Sequence, residues 1–163
     1  MTILCDRDLL ELMRDGLISP FDPEMINPAS IDIRVGRTAI VEGNDGLNVP
    51  LTLGEYGLLV APGETVLIST METFDIPNGY AMDLRLKSSI ARRGWNHALA
   101  FWVDPGWRGV LTMEVTNKLR YNHLILTPGE RFAQVIVHEL SAPSARPYAG
   151  KYKDSNAVSG ERK

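Results

Sequence analysis

At 163 residues, the chain is long enough for one domain with a core of its own, without disulfide or metal staples. Hydrophobic residues make up 44% and charged residues 23%, and a net charge of −3 provides no global field for nucleic acid or an anionic membrane. An anionic ligand must therefore be met by a local cationic site. Cys5 is the only cysteine, which excludes an intramolecular disulfide framework and a cysteine-based zinc site. The opening MTILCDRDLL lacks the apolar core of a signal peptide, and no apolar run reaches membrane-spanning length, so a cytoplasmic protein is expected.

Residues 6–16, DRDLLELMRDG, place an Asp near a helix start, an apolar set of Leu9, Leu10, Leu12 and Met13, and Gly16 at the end. This predicts a short N-terminal amphipathic helix within residues 1–16, packed on the body. A turn-rich stretch, SPFDPEMINPA, follows. Residues 30–35, SIDIRV, alternate as a half-buried strand with Ile31, Ile33 and Val35 on one face. Short β-like pieces at 38–41, 58–60 and 65–70 are separated by the turn signals GNDG, LGEYG and PGE, and residues 79–86, GYAMDLRL, alternate again. Further strands are predicted over 110–116, 123–126 and 132–139. Many short strands with turns between them, and no βαβ rhythm, indicate one all-β domain over 1–163: a sandwich, jelly roll or barrel. From about residue 141 to 163 the chain is small, polar and cationic. This is either a frayed end or a flexible lid whose Tyr148, Lys151 and Tyr152 close over a ligand.

Chemistry concentrates between Leu86 and Asn117. In Lys87-Ser-Ser-Ile-Ala-Arg-Arg-Gly94, Ser88 or Ser89 can cap and Gly94 can stop a short helical turn, with Ser88 and Arg92 four apart on one face. Free backbone N–H groups, a hydroxyl and cations suit a phosphate group, although the same residues also describe a capped surface turn. In Asp104-Pro-Gly-Trp107 the Asp closes a tight turn; it can simply cap that turn, accept a ligand hydroxyl or activate a water. In residues 110–117, VLTMEVTN, the alternation sets Thr112, Glu114 and Thr116 on one face and Leu111, Met113 and Val115 on the other. Facing solvent, Glu114 is an ordinary strand residue; facing a pocket, it is a general acid/base whose pKa burial raises. The residues alone leave both open. His97, His123 and His138 lack metal-ligand spacing, and each reads as structural. The zinc-deaminase pattern H-x-E…P-C-x-x-C is absent, so a hydrolytic mechanism is not expected to use protein-bound zinc.

Taken together, Ile3-Leu-Cys-Asp-Arg-Asp-Leu9, Asn27-Pro-Ala-Ser-Ile-Asp-Ile33, the 87–94 segment, Asp104-Pro-Gly-Trp107, Thr112-Met-Glu114, Arg131-Phe-Ala-Gln134 and Arg146-Pro-Tyr148 with Lys151-Tyr152 run in one order. In this, nearly the whole chain resembles the dCTP deaminases of the trimeric dUTPase-like superfamily. The resemblance implies a distorted β jelly roll, or dUTPase-like barrel, with a short helical turn at the phosphate site. It also implies a homotrimer with active sites at subunit interfaces. Lys87, Ser88, Ser89, Ile90, Ala91 and Arg92 would hold the triphosphate, Asp104 would lie against the deoxyribose, and Thr112, Met113 and Glu114 would line the base pocket. Gln134, Tyr148 and Lys151 would add contacts. Mg2+ would arrive on the triphosphate. Glu114 would act as base and then acid, with Ser88 and Arg92 orienting the water and steadying charge. The chain departs from the family at Ala100-Phe101-Trp102-Val103, where two aromatics precede Asp104, and in the tail, where Ser155 and Asn156 stand in place of a Gln.

The leading expectation is deamination of dCTP to dUTP and ammonia, supplying dUTP for dTTP synthesis, with no nucleic-acid or membrane partner. The competing expectations are a dUTP pyrophosphatase or a bifunctional enzyme giving dUMP, and a non-catalytic nucleotide-binding trimer.

Overall fold

Most of the alternating segments pair, in the computed structural model, into one curled antiparallel sheet; the residues described are 2–43, 45–98 and 100–161. Along the chain come β1 (Thr2–Ile3), α1 (Asp6–Arg14), β2 (Ile18–Ser19), a 3-10 turn over Pro23–Met25, β3 (Ile26–Asn27) and β4 (Ser30–Glu42). Next are β5 (Asn48–Thr52), β6 (Leu58–Val60), β7 (Thr65–Asp75), β8 (Tyr80–Leu86) and α2 (Ser88–Arg92). The last elements are β9 (Trp95–His97), β10 (Trp102–Val103), β11 (Arg108–Asn117), β12 (Leu124–Leu126) and β13 (Arg131–Glu139). The main order is β10-β8-β13-β4-β7-β11-β9, with β1 on β13, β2 on β7, β3 and β5 on β4, and a separate β12-β6 pair. The expected all-β class and distorted-barrel architecture are borne out.

Residues 30–35 and 38–41, predicted as separate pieces, are one strand. Its first half pairs with β13 (Ile31 opposite Val135, Arg34 opposite Arg131) and its second half with β7 and β5. The register slips between Val35 and Ala39, at Gly36. A Cβ there would stand 2.5 Å from the Thr70 carbonyl oxygen and 2.3 Å from the Ser69 hydroxyl. The glycine is thus a point of close approach where the strand changes partners and not a strand break. β5 and β9 are not among the predicted strands; β5 carries Pro50, which suits a strand off the main path.

The two-residue period decides what is inside. On β11 Leu111, Met113 and Val115 are buried while Thr112, Glu114 and Thr116 are half-buried, as the alternation predicted. Ile33, Ile68, Phe74, Met82, Met113 and Phe132 fill the core, and Leu9 and Met13 of α1 close it. The helix ends at Arg14, two residues before Gly16, and its first turn is closed by Asp8, whose carboxylate accepts the Cys5 N–H at 3.3 Å.

Candidate active site

α2 is the predicted helical turn, with one correction to its cap. Lys87, and neither serine, occupies the N-cap position with extended backbone, and no side chain caps it; Ser88 and Ser89 form the exposed first turn. Ile90 is buried and anchors the turn, while Ala91 and Arg92 are exposed. Gly94 reverses the chain at φ 103°, where a Cβ would press on Leu119. The Lys87 ammonium points inward. It donates to Asp32 at 2.5 Å, and that carboxylate, only 3% exposed, also accepts the Asn27 amide at 2.8 Å. Lys87 thus ties the helix start to β4. Gln134 lies nearby on β13, opposite Asp32 and hydrogen-bonded to the Ser30 hydroxyl.

A cavity of about 410 Å³ opens elsewhere, over the outer face of β11. Of the predicted residues it brings together Asp104, Thr112, Glu114 and Tyr148. Met113 faces the opposite way, fully buried in the core, so any contact it made with a ligand would be through its backbone. Lys151 is exposed with its ammonium 5.3 Å from the Tyr152 ring. Residues 87–92 and Gln134 are not among the cavity lining. One chain therefore separates the cationic turn from the carboxylate cavity.

Glu114 is half-buried, and burial pushes its carboxyl above the ordinary value, partly opposed by a backbone hydrogen bond. Beside it, burial and then the Arg85 cation hold the His97 imidazole below its ordinary value. The Arg85 guanidinium also sits 4.3 Å over the Phe101 ring. A carboxyl at a cavity wall whose hold on its proton is strengthened by burial is suited to taking and returning protons.

The two aromatics before Asp104 both line the cavity. The Trp102 indole donates to Asp104 at 3.1 Å and its ring lies 5.9 Å from that of His138, which contacts Asp83 at 3.3 Å. The tail, read from the sequence as a frayed end or a lid, supplies the cavity's remaining wall through Tyr148, Tyr152, Ser155 and Ser159. The C-terminal stretch, whose residues 162 and 163 lie outside the described residues, forms a strap: Tyr148 N–H donates to Pro105, Asp154 N–H to Arg108, and Ser159 N–H to the Thr112 hydroxyl at 3.0 Å. Ser155 bridges to Gly109, and Tyr148 packs 5.1 Å from Trp107. Gly109, at φ 123° and within reach of Ser155, was the signal in the sequence that a backbone would approach there.

A family model described as dCTP deaminase-like matches residues 3–140. The chain belongs to the dCTP deaminase-like family. Among named relatives, the dCTP deaminase of Thermococcus gammatolerans is 36% identical over 149 residues, covering 91% of this chain and 90% of that protein. The protein of Thermobifida fusca named dCTP deaminase, dUMP-forming, is 33% identical over 165 residues, covering 91% and 84%. In fold, the 2'-deoxycytidine 5'-triphosphate deaminase from Agrobacterium tumefaciens superposes with a TM-score of 0.68 at 22% identity, over 83% of this chain; the chain spans 48% of that one. A dUTPase from phage phi11 of Staphylococcus aureus gives 0.51 at 15% identity over 76% of this chain and 84% of its own. These likenesses establish a dUTPase-like fold. Among the described residues, no helix is long and apolar enough to cross a membrane.

Proposed function

We propose that the protein is a cytoplasmic hydrolase that converts dCTP and water to dUTP and ammonia. The observation that carries this reading is Glu114: a half-buried carboxyl, pushed up by burial, on the wall of a cavity shared with Asp104 and Thr112, in a chain of this family. In the reaction, Glu114 takes a proton from water as the oxygen bonds to C4 of cytosine and passes it to N3, then takes the proton of the new C4 hydroxyl and passes it to the departing amine. Breaking the C4–N bond releases ammonia and leaves the uracil carbonyl. Asp104 accepts from the deoxyribose hydroxyl. Magnesium belongs to the substrate, held by its phosphates.

The triphosphate needs cations, and in one chain these stand apart from the cavity. The reading therefore includes a homotrimer in which α2 of a neighbouring copy brings its exposed Ser88, Ser89 and Arg92 to the Glu114 cavity, with Ser88 and Arg92 steadying the water and the developing charge. Lys87, turned to Asp32, acts chiefly by holding the turn in shape. Tyr148 of the strap covers the ligand, and Lys151 and Gln134 contribute at the edges of the assembled site.

The purified protein is incubated with Mg·dCTP and the products are resolved by chromatography. Ammonia and dUTP in equal amounts are expected, and Glu114→Gln should abolish ammonia release while still binding Mg·dCTP. Near-normal turnover in that variant would sink the role of Glu114. A second reading, a bifunctional enzyme that continues to dUMP and pyrophosphate, has support in the relatives named dUMP-forming. Ammonia from dCTP together with pyrophosphate from added dUTP would establish it.

A further inference from the structure

Two sealed polar atoms without hydrogen bonds face each other beside the cavity. Nε2 of His97 and Oε2 of Glu114 are 3.9 Å apart, and neither has a partner among the described residues. The His97 side chain is only 9% exposed. That of Glu114 is 31% exposed, so Oε2 is the inward oxygen of a carboxyl that otherwise meets the cavity. Buried polar groups are seldom left unpaired, and the exceptions call for a reason. A closure of about 1 Å brings this pair to the usual hydrogen-bond length. β9, which carries His97, is three residues long at the end of the sheet, and just after it the Ala98 N–H donates to the Glu114 carbonyl, which keeps the two residues side by side.

The charged groups facing the imidazole are Glu114 on β11 and Arg85 on β8. With a cation on one side and little water, the ring is neutral at neutral pH and can carry its one proton on Nε2. We propose that His97 is a positioning residue for Glu114: its Nε2–H donates to Oε2 and holds the carboxylate with its other oxygen toward the reacting water. This rests on the deaminase reading given above. Hydrogen bonding to the ionised form keeps the base available at a lower pH than burial alone would allow. The sequence showed only a histidine without metal spacing, because its partner is 17 positions away and is reached only through the β9-β11 pairing.

Ammonia release from Mg·dCTP is measured against pH for wild type, His97→Phe and His97→Gln, with thermal melting to show that each is folded. In His97→Phe, kcat should fall about tenfold, and KM should stay within about twofold. The acidic limb of the kcat profile should move up by about one pH unit, since the donor to the carboxylate is gone. His97→Gln, whose amide can donate, should recover most of the loss. A folded His97→Phe with wild-type kcat and an unmoved acidic limb would overturn the proposal. A second readout is independent of turnover: His97 ring protons are titrated by NMR in wild type and in Glu114→Gln. Losing the neighbouring carboxylate should lower the His97 midpoint, and an unchanged midpoint would overturn the pair. If wild type releases no ammonia, the deaminase reading falls and the NMR titration alone decides the pair.

Discussion

Two carboxyl groups, Asp32 and Glu114, have opposite relations to their surroundings. Asp32 is buried, with Asn27 and Lys87 donating to one oxygen and Arg131 3.9 Å from the other. Removing Lys87 leaves the buried Asp32 with only the more distant Arg131 as a cation, so Lys87→Ala should cost up to about 3 kcal/mol in urea unfolding. Adding Asp32→Asn should recover part of that loss; a simple sum of the two effects would show that the pair is not the cause. Glu114 is the reverse case, since its folded carboxyl is pushed above the ordinary value. A raised value means that the folded state binds the proton more readily than the unfolded chain. The resulting stability is present at acid pH and is lost as pH rises through the folded value. Glu114→Gln should therefore melt at a higher temperature than wild type at pH 8, with the gap narrowing toward pH 4. A constant gap would mean that titration is not responsible. At this scale the sequence was informative where a period sufficed: Thr112, Glu114 and Thr116 share a face because strand side chains alternate. The pairing of Asp32 with Lys87, 55 positions apart, depends on three strands meeting and has no local signal.

Among the elements, the strap and α2 departed furthest from expectation. Residues 141 onward contain little to bury, and hydrophobic patterning is blind to a segment held by its backbone. The strap is held that way, through Gly109, Thr112 and Thr38. A Cβ on Gly109 would lie 2.5 Å from the Ser155 carbonyl oxygen at a backbone angle that side chains rarely adopt. Gly109→Ala should therefore detach the strap, and trypsin should cut after Lys151 or Lys153 about tenfold faster. The exposed Arg108–Asp154 ion pair covers the same junction. Because exposed ion pairs are screened by solvent and contribute little, Arg108→Ala should leave the cutting rate nearly unchanged. Equal effects from both substitutions would place the hold in charge and not in backbone fit. For α2, composition located the turn correctly, but the choice of cap was settled by the tether from Lys87 to β4, which local capping preference does not include.

At the scale of the whole molecule, the fold class followed from the spacing of short strands, and the family from landmarks spread over nearly the full length. What a single chain does not unite is the exposed Ser88–Arg92 turn and the Glu114 cavity. If copies complete one another, Arg92→Ala and Glu114→Gln, each inactive alone, should restore activity when refolded together. Random 1:1 mixing would return about a quarter of wild-type sites, since an intact Glu and an intact Arg each fall at a given interface half the time. No recovery in mixed oligomers would put both groups of a working site in the same copy. The three tryptophans stand at three depths: Trp95 at 3% exposure against Phe132, Trp107 half-buried under Tyr148, and Trp102 at 48% on the cavity rim. The molecule thus carries its own optical gauge. Red-shifted emission should come mainly from Trp102 and respond when a nucleotide fills the cavity, whereas the Trp95 signal should change only when the sheet itself comes apart.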